Sequence, residues 1–236
     1  MRTRLRLLVV LAVAAGVLAS AAFAATIAGG SGADLLLGRP GADRVVARGG
    51  NDRIHVAGGG RDAVSCGRGR DVVVADVADR LASDCEVVSR RIATDPFRNA
   101  ESQHATEVEP DTFAFGSTVV AVFQTGRIFG GAAANIGFAT SRDGGRTWRQ
   151  GQLPGLTPRS RPAGDWPLVS DPSVAYDALH GVWLVATLAI GQNTSGILVS
   201  RSSDGLRWSN PVAATLAPSL GPLLLDKEWI VCDNGP

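Results

Sequence analysis

Three features of the sequence predict an all-β chain. Glycine is abundant, at 29 of 236 residues, and β-branched residues recur between turn formers. An aspartate stands at 34, 43, 52, 62 and 71, each two residues ahead of an aliphatic side chain: Leu36, Val45, Ile54, Val64 and Val73. Further on, two tryptophan-ended turns and two proline-bearing strands repeat at a much longer period. Together these predict a short parallel β-roll followed by a partial β-propeller of about two blades plus the first strand of a third. The expected boundaries are a signal peptide over 1–24, the β-roll over 25–91, a linker over 92–104 and the partial propeller over 105–236.

Residues 1–24 carry Arg2, Arg4 and Arg6, then an apolar run from Leu7 to Leu18, then Ala22-Phe23-Ala24. This is the pattern of a secretory signal, with a small-x-small cleavage site and an apolar core short for a bilayer. A membrane anchor is the alternative. No later stretch holds about 18 uninterrupted apolar residues, which predicts a secreted, extracellular protein with no membrane span after signal cleavage. With 23 basic and 22 acidic residues interspersed, the chain carries no basic stripe and nucleic acid is not an expected partner.

The first repeat, Gly29 to Leu37, fits G-G-x-G-x-D-x-U-x at every fixed position. The second keeps Gly41, Asp43 and Val45, and the third keeps Gly50, Asp52 and Ile54. Each unit reads as a turn of about six residues and a strand of about three, with one aliphatic pointing inward. Two units make a coil. Asp34, Asp52 and Asp71 are therefore expected on one edge, and Asp43 and Asp62 on the other. The glycines Gly30, Gly32, Gly41 and Gly50 are expected to supply the bent backbone of these turns. Stacked carboxylates repel, and calcium, which takes six to eight oxygens in a flexible shell, would relieve them. The alternative is neutralisation without metal by Arg39, Arg44, Arg48, Arg53, Arg61 and Arg70.

This stretch resembles the hemolysin-type (RTX) calcium-binding repeats of secreted bacterial proteins. The resemblance covers about 45 residues well and then decays. It implies calcium as the cofactor, with Asp34, Asp43, Asp52, Asp62 and Asp71 as the metal-binding set. At the end of the repeat region, Cys66 and Cys85 lie 19 residues apart, close to one coil. Stacking on neighbouring coils predicts a disulfide between them, which export would permit. Zinc is the weaker alternative, since no histidine lies at ligand spacing.

From about residue 105 the pattern changes to longer strands: "STVVAVFQ", "NIGFATS", "PSVAYD", "GVWLVATL", "GILVSRS" and "KEWIVCD". Ser141, Asp143, Gly145, Thr147 and Trp148 fit S-x-D-x-G-x-T-W, a structural hairpin turn. Ser202, Asp204, Gly205 and Trp208 form a shorter copy with Arg207 in place of threonine. Trp148 and Trp208 are 60 residues apart, and Pro110 and Pro172 are 62 apart. This part resembles the sialidase-like BNR/Asp-box β-propellers over roughly 130 residues.

That resemblance implies a fragment of an exo-α-sialidase or another glycoside hydrolase as the alternative function, but it supplies no catalytic residue. Sialidases use three arginines, an aspartate acid/base and a tyrosine–glutamate nucleophile pair. Tyr176 is the sole tyrosine and reads as packed in a strand, while Arg127 is a poor stand-in for the family's arginine motif. Glu107, Glu109, Asp111, Asp171, Asp226 and Glu228 cluster at strand starts, where paired carboxylates could do acid/base work or simply pair with arginines. The favoured expectation is a secreted calcium-binding protein with a binding or display role, its partners calcium ions and a glycan or cell-surface polymer.

Overall fold

The computed structural model describes residues 25–218 and 225–235; the expected signal peptide lies outside them. The described chain is all-β, with sixteen strands. The first eight are β1 (Thr26–Ala28), β2 (Leu35–Leu37), β3 (Arg44–Val46), β4 (Arg53–His55), β5 (Ala63–Ser65), β6 (Val72–Ala75), β7 (Arg80–Leu81) and β8 (Val87–Arg90). They form two parallel four-stranded sheets, ordered β1-β3-β5-β7 and β2-β4-β6-β8. Alternate strands thus stack into a solenoid of about four coils.

The solenoid follows from the nonapeptide spacing. In a strand of three residues only the central side chain can point inward. Those side chains stack in register, Ile27 on Val45 on Val64 on Leu81 in one sheet and Leu36 on Ile54 on Val73 in the other. Ala47, Val56, Cys66 and Ala75 complete this core. Each buried aliphatic contributes about 1.5–3 kcal/mol. Such a narrow core needs every coil, and the Cys66–Cys85 disulfide ties neighbouring coils with Cα atoms 5.2 Å apart.

The second part comprises β9 (Glu107–Phe115), β10 (Thr118–Ile128), β11 (Ala132–Ser141), β12 (Arg149–Gln152), β13 (Leu168–Asp177), β14 (Val182–Ile190), β15 (Thr194–Ser202) and β16 (Val212–Pro218). Here the expected partial propeller is not what forms. Propeller blades are separate sheets that meet through side chains. In this chain β11 hydrogen-bonds β13 at Ala133–Val169, so the meanders β9–β12 and β13–β16 join in one eight-stranded antiparallel sheet. The expected first strand of a third blade is also absent: residues 225–235 form no strand. They lie instead along β13, where the Ile230 amide donates to Ser173 Oγ at 3.3 Å and Asn234 Nδ2 to the Tyr176 carbonyl at 2.8 Å.

The core of this sheet includes Val120, Val122, Ile136, Phe138, Leu153, Leu156, Val169, Val174, Trp183 and Val185. The stretch between the two parts touches the sheet. Thr94 and Gln150 exchange hydrogen bonds of 2.6 and 3.0 Å, the Arg90 guanidinium donates to the Arg146 carbonyl, and Ala93 packs with Phe123 and Ala139.

Candidate cation-binding edges of the solenoid

Both edges of the solenoid carry a ladder of carboxylates. On the first edge, Asp52 Oδ1 accepts the Asp34 amide at 2.8 Å and Asp71 Oδ1 accepts the Asp52 amide at 2.8 Å. On the second, Asp62 Oδ1 accepts the Asp43 amide at 2.6 Å. The structure therefore brings together the predicted sets, Asp34 with Asp52 and Asp71, and Asp43 with Asp62. Each bond spans 18 or 19 residues, one coil.

The ladders run further than the sequence pattern shows. Asp79 Oδ1 accepts the Asp62 amide across 17 residues, and Glu86 Oε2 accepts the Asp71 amide across 15. Shortened turns hid these two from a nine-residue search, although an acid one coil after each aspartate was a usable signal. Asp76 joins the second edge, its Oδ2 accepting the Gly58 amide at 2.6 Å.

Burial makes the ladders electrostatically costly. Asp43, Asp52, Asp62, Asp71 and Asp79 are all at most 3% exposed, yet none of them is ion-paired among the described residues. The six arginines that could have neutralised them are all exposed. The physical reason is alternation: Arg44 and Arg53 sit on strands beside an inward aliphatic and must point outward. One carboxylate oxygen each of Asp52, Asp62 and Asp71 is buried without a hydrogen-bond donor among the described residues. Burial pushes the Asp62 carboxyl up; the bond from the Asp43 amide opposes this, and the charges of Asp79, Asp43 and Asp76 add to the rise.

The glycines divide. Gly41 and Gly50 hold positive φ, 123° and 118°, as the turns demand, whereas Gly30 and Gly32 do not. Gly30 instead donates its amide to Asp34 Oδ2 at 2.6 Å. A Cβ on Gly59 would lie 2.7 Å from the Arg39 carbonyl oxygen, 3.2 Å from that of Gly41 and 3.4 Å from Asp62 Oδ2. Three oxygens thus converge on a point that only a glycine leaves open. Buried carboxylate oxygens without donors, beside turn carbonyls, fit a hard, oxygen-seeking cation. Cys66, Asp84 and Cys85 also converge, but the thiols are consumed in the disulfide and Asp84 caps the amides of Cys66 and Gly67 at 3.1 and 2.9 Å.

In the antiparallel sheet the predicted turn residues act structurally. Ser141 Oγ accepts the Gly145 amide at 2.8 Å, Asp143 accepts the Thr147 amide at 2.8 Å and hydroxyl at 2.5 Å, and Trp148 Nε1 donates to the Gly145 carbonyl at 2.9 Å. Burial works against the Asp143 carboxylate, but the bonds from Thr147, Ser141 and Arg146 outweigh it and hold the carboxyl at about 2. In the second copy Ser202 Oγ accepts the Gly205 amide at 2.8 Å and Asp204 accepts the Arg207 amide at 2.7 Å. Trp208 packs on Phe138 at 5.9 Å, its Nε1 buried without a partner. The turns also bind each other, through Thr140 Oγ1 to the Gly205 carbonyl at 2.5 Å.

Three of the acids noted in the sequence gather at the bulges of β9 and β13. Burial, then a hydrogen bond and the charge of Asp171, push the Glu109 carboxyl up. Gln124 Nε2 donates to Glu109 Oε2 at 2.5 Å, and Lys227 pairs with Asp171 at 3.2 Å. Glu228 is 9% exposed and neither of its carboxyl oxygens has a donor among the described residues. Burial, aided by the Asp171 charge, pushes it up to about 7. Asp111 is placed differently, accepting the Val174 amide at 2.8 Å. Tyr176 stacks between Phe115 and Trp183, at 4.3 and 4.8 Å.

Among the described residues, no helix is long and apolar enough to cross a membrane. No curated protein matches the chain. A solved glycosyl hydrolase from Bacteroides ovatus is similar over 46% of this chain and 31% of its own, at 16% identity and a TM-score of 0.32. The chain spans about a third of that structure's length, and so slight a likeness carries no argument. Residues 22–55 match the family described as the RTX calcium-binding nonapeptide repeat (4 copies), so the solenoid begins with calcium-binding repeats of that kind.

Proposed function

We propose that the chain is a secreted calcium-binding protein whose solenoid takes up calcium at its carboxylate edges and presents the antiparallel sheet for binding or display, with a glycan or cell-surface polymer as the partner. One observation carries the calcium reading: among the described residues Asp52, Asp62 and Asp71 each bury a carboxylate oxygen that has no donor, with no arginine paired to any of them. Asp34, Asp52 and Asp71 on one edge and Asp43 and Asp62 on the other would hold calcium ions together with turn carbonyls. Bound calcium would supply the positive charge that the ladders lack. The protein's own part is to fix Asp52, Asp62 and Asp71 each through one oxygen on a backbone amide, which leaves the other oriented before any ion arrives. Binding to the folded form then adds to its stability.

Calorimetric titration of the full chain with calcium chloride tests this. Saturable heat and a higher unfolding temperature in calcium than in chelator are expected, both lost when Asp52 and Asp62 are changed together to asparagine. Absence of heat from the folded wild-type chain would sink the reading.

A second reading, a glycoside hydrolase fragment, draws on the carboxyl cluster at Glu109, Asp171 and Glu228. There, one carboxyl near neutrality beside an ion-paired one offers acid/base chemistry. Its test is release of nitrophenol from aryl glycosides, with Glu228→Gln inactive.

A further inference from the structure

The two edges of the solenoid are chemically unequal. On the first edge three turn carbonyls are already engaged. Gly29 O accepts Arg48 Nη1 at 3.0 Å, Arg48 O accepts the Arg68 amide at 2.8 Å, and Arg68 O accepts the Gly50 amide at 2.9 Å. The turns also lie directly on one another. A Cβ on Gly67 would fall 1.9 Å from the Arg48 carbonyl oxygen, and one on Gly69 1.7 Å from that of Gly50. Asp52 and Asp71 do keep one oxygen without a donor. Three of the carbonyls that could help build six to eight oxygens around either of them are, however, spent on the protein itself.

The second edge is stacked closely too, a Cβ on Gly60 falling 2.6 Å from the Gly41 carbonyl carbon, but it keeps a turn carbonyl without a donor beside a buried carboxylate oxygen. Its cross-coil turn bonds include the Gly60 amide to the Gly41 carbonyl at 2.8 Å and the Ala57 amide to the Val74 carbonyl at 3.2 Å, while the Arg39 carbonyl takes no donor from the described residues. Asp62 is fully buried, and its Oδ2, without a donor, faces the same point beside Gly59 as the Arg39 and Gly41 carbonyls. Asp43 and Asp79 already accept amides with both oxygens. They contribute charge rather than a vacant lone pair aimed at the ion. Asp76 accepts one amide, from Gly58, and has its second oxygen to offer. Arg39 and Arg61, the basic side chains of these turns, are exposed and unpaired among the described residues.

We propose that the solenoid's principal divalent-cation site lies on the second edge, formed by Asp62, the Arg39 carbonyl and Asp76, while on the first edge backbone hydrogen bonds and Arg48 occupy three of the turn carbonyls. Asp76 stands outside the nonapeptide spacing and outside residues 22–55, so the repeat pattern does not mark it. This edge assignment rests on the calcium reading above and goes beyond it, since the repeats alone treat both edges alike.

The experiment is a calcium chloride titration of the full chain by calorimetry, repeated with terbium luminescence. Two paired variants are compared: Asp62→Asn with Asp76→Asn, and Asp52→Asn with Asp71→Asn. Each asparagine keeps an oxygen for the amide ladder, and circular dichroism in chelator confirms that both variants fold. The second-edge pair is expected to weaken binding by at least about tenfold, and the first-edge pair to leave the tightest site unchanged. Arg48→Ala is expected to leave that site unchanged as well. Loss of the tight site in the first-edge pair, or equal losses in both, would overturn the assignment while calcium binding itself stood. No heat from the wild-type chain would remove both.

Discussion

The Asp43 amide donates to Asp62 Oδ1 at 2.6 Å across 19 residues, while Asp62 Oδ2, on the same buried carboxylate, has no donor. One oxygen holds the coil and, in the function proposed above, the other would take a cation. The same group should therefore act with opposite signs in the two metal states. In chelator, Asp62→Asn removes a buried charge that faces Asp43, Asp76 and Asp79 while retaining an acceptor for the amide. Its unfolding temperature is expected to equal or exceed that of the wild type. In saturating calcium it should fall below, by the binding free energy lost, about 1.4 kcal/mol per tenfold in affinity. Differential scanning calorimetry in the two buffers reads this crossing, and a variant less stable in both would refute it.

Glu228 predicts a pH dependence in the antiparallel part. Its folded-state carboxyl stands at about 7 against an ordinary value of 4.5. The raised value means that stability is fully present below about 4.5 and is lost as pH rises through about 7. The slope in that window approaches about 1.4 kcal/mol per pH unit for this one group. Glu228→Gln should flatten that slope and raise stability at pH 8. Urea titrations at pH 4.5, 6 and 8, followed by tryptophan fluorescence, provide the check. An unchanged slope in the variant would show that the carboxyl is not held as described.

The Cys66–Cys85 bond closes a loop with a sequence separation of 19. Replacing both cysteines by alanine should cost the solenoid about 2–4 kcal/mol. The antiparallel sheet should be spared, since its core shares no residue with that of the solenoid. Hydrogen exchange resolved by segment distinguishes the two: faster exchange over 26–90 with 118–202 unaffected is the expected outcome.

The two S-x-D turns should differ in what their aspartates support. Asp143 accepts the Thr147 amide and hydroxyl together with Ser141 Oγ. Asp143→Ala should cost about 2 kcal/mol, the scale of a charged hydrogen bond lost. Its low folded-state carboxyl value makes this contribution fully present above about 3.8 and lost as pH falls through about 2. Thr147→Val isolates the hydroxyl and should cost less than half as much as Asp143→Ala. Equal losses in the two variants, measured by urea unfolding at pH 6, would show that the backbone bonds to Asp143 matter little.

The nonapeptide spacing determined the solenoid. A nine-residue unit with one inward aliphatic sets the coil length locally, so Asp34, Asp52 and Asp71 could be stacked, and Asp43 placed with Asp62, from the sequence alone. Cys66 and Cys85 follow from the same arithmetic. Asp76, Asp79 and Glu86 were hidden because their turns shorten, and their places depend on which strand each shortened turn delivers to the stack. The inequality of the two edges was equally out of reach, since it turns on which carbonyls accept amides from the next coil. In the second part, alternating strands and two S-x-D turns made antiparallel meanders legible. A period near sixty residues nevertheless suits separate blades and a continuous sheet alike. The choice lies in the pairing of Ala133 with Val169, a contact that neither meander's own pattern specifies. Glu228 belongs to the same class: its carboxyl is perturbed because residues 225–235 lie along β13 rather than beginning another strand, and only the folded chain brings it beside Asp171.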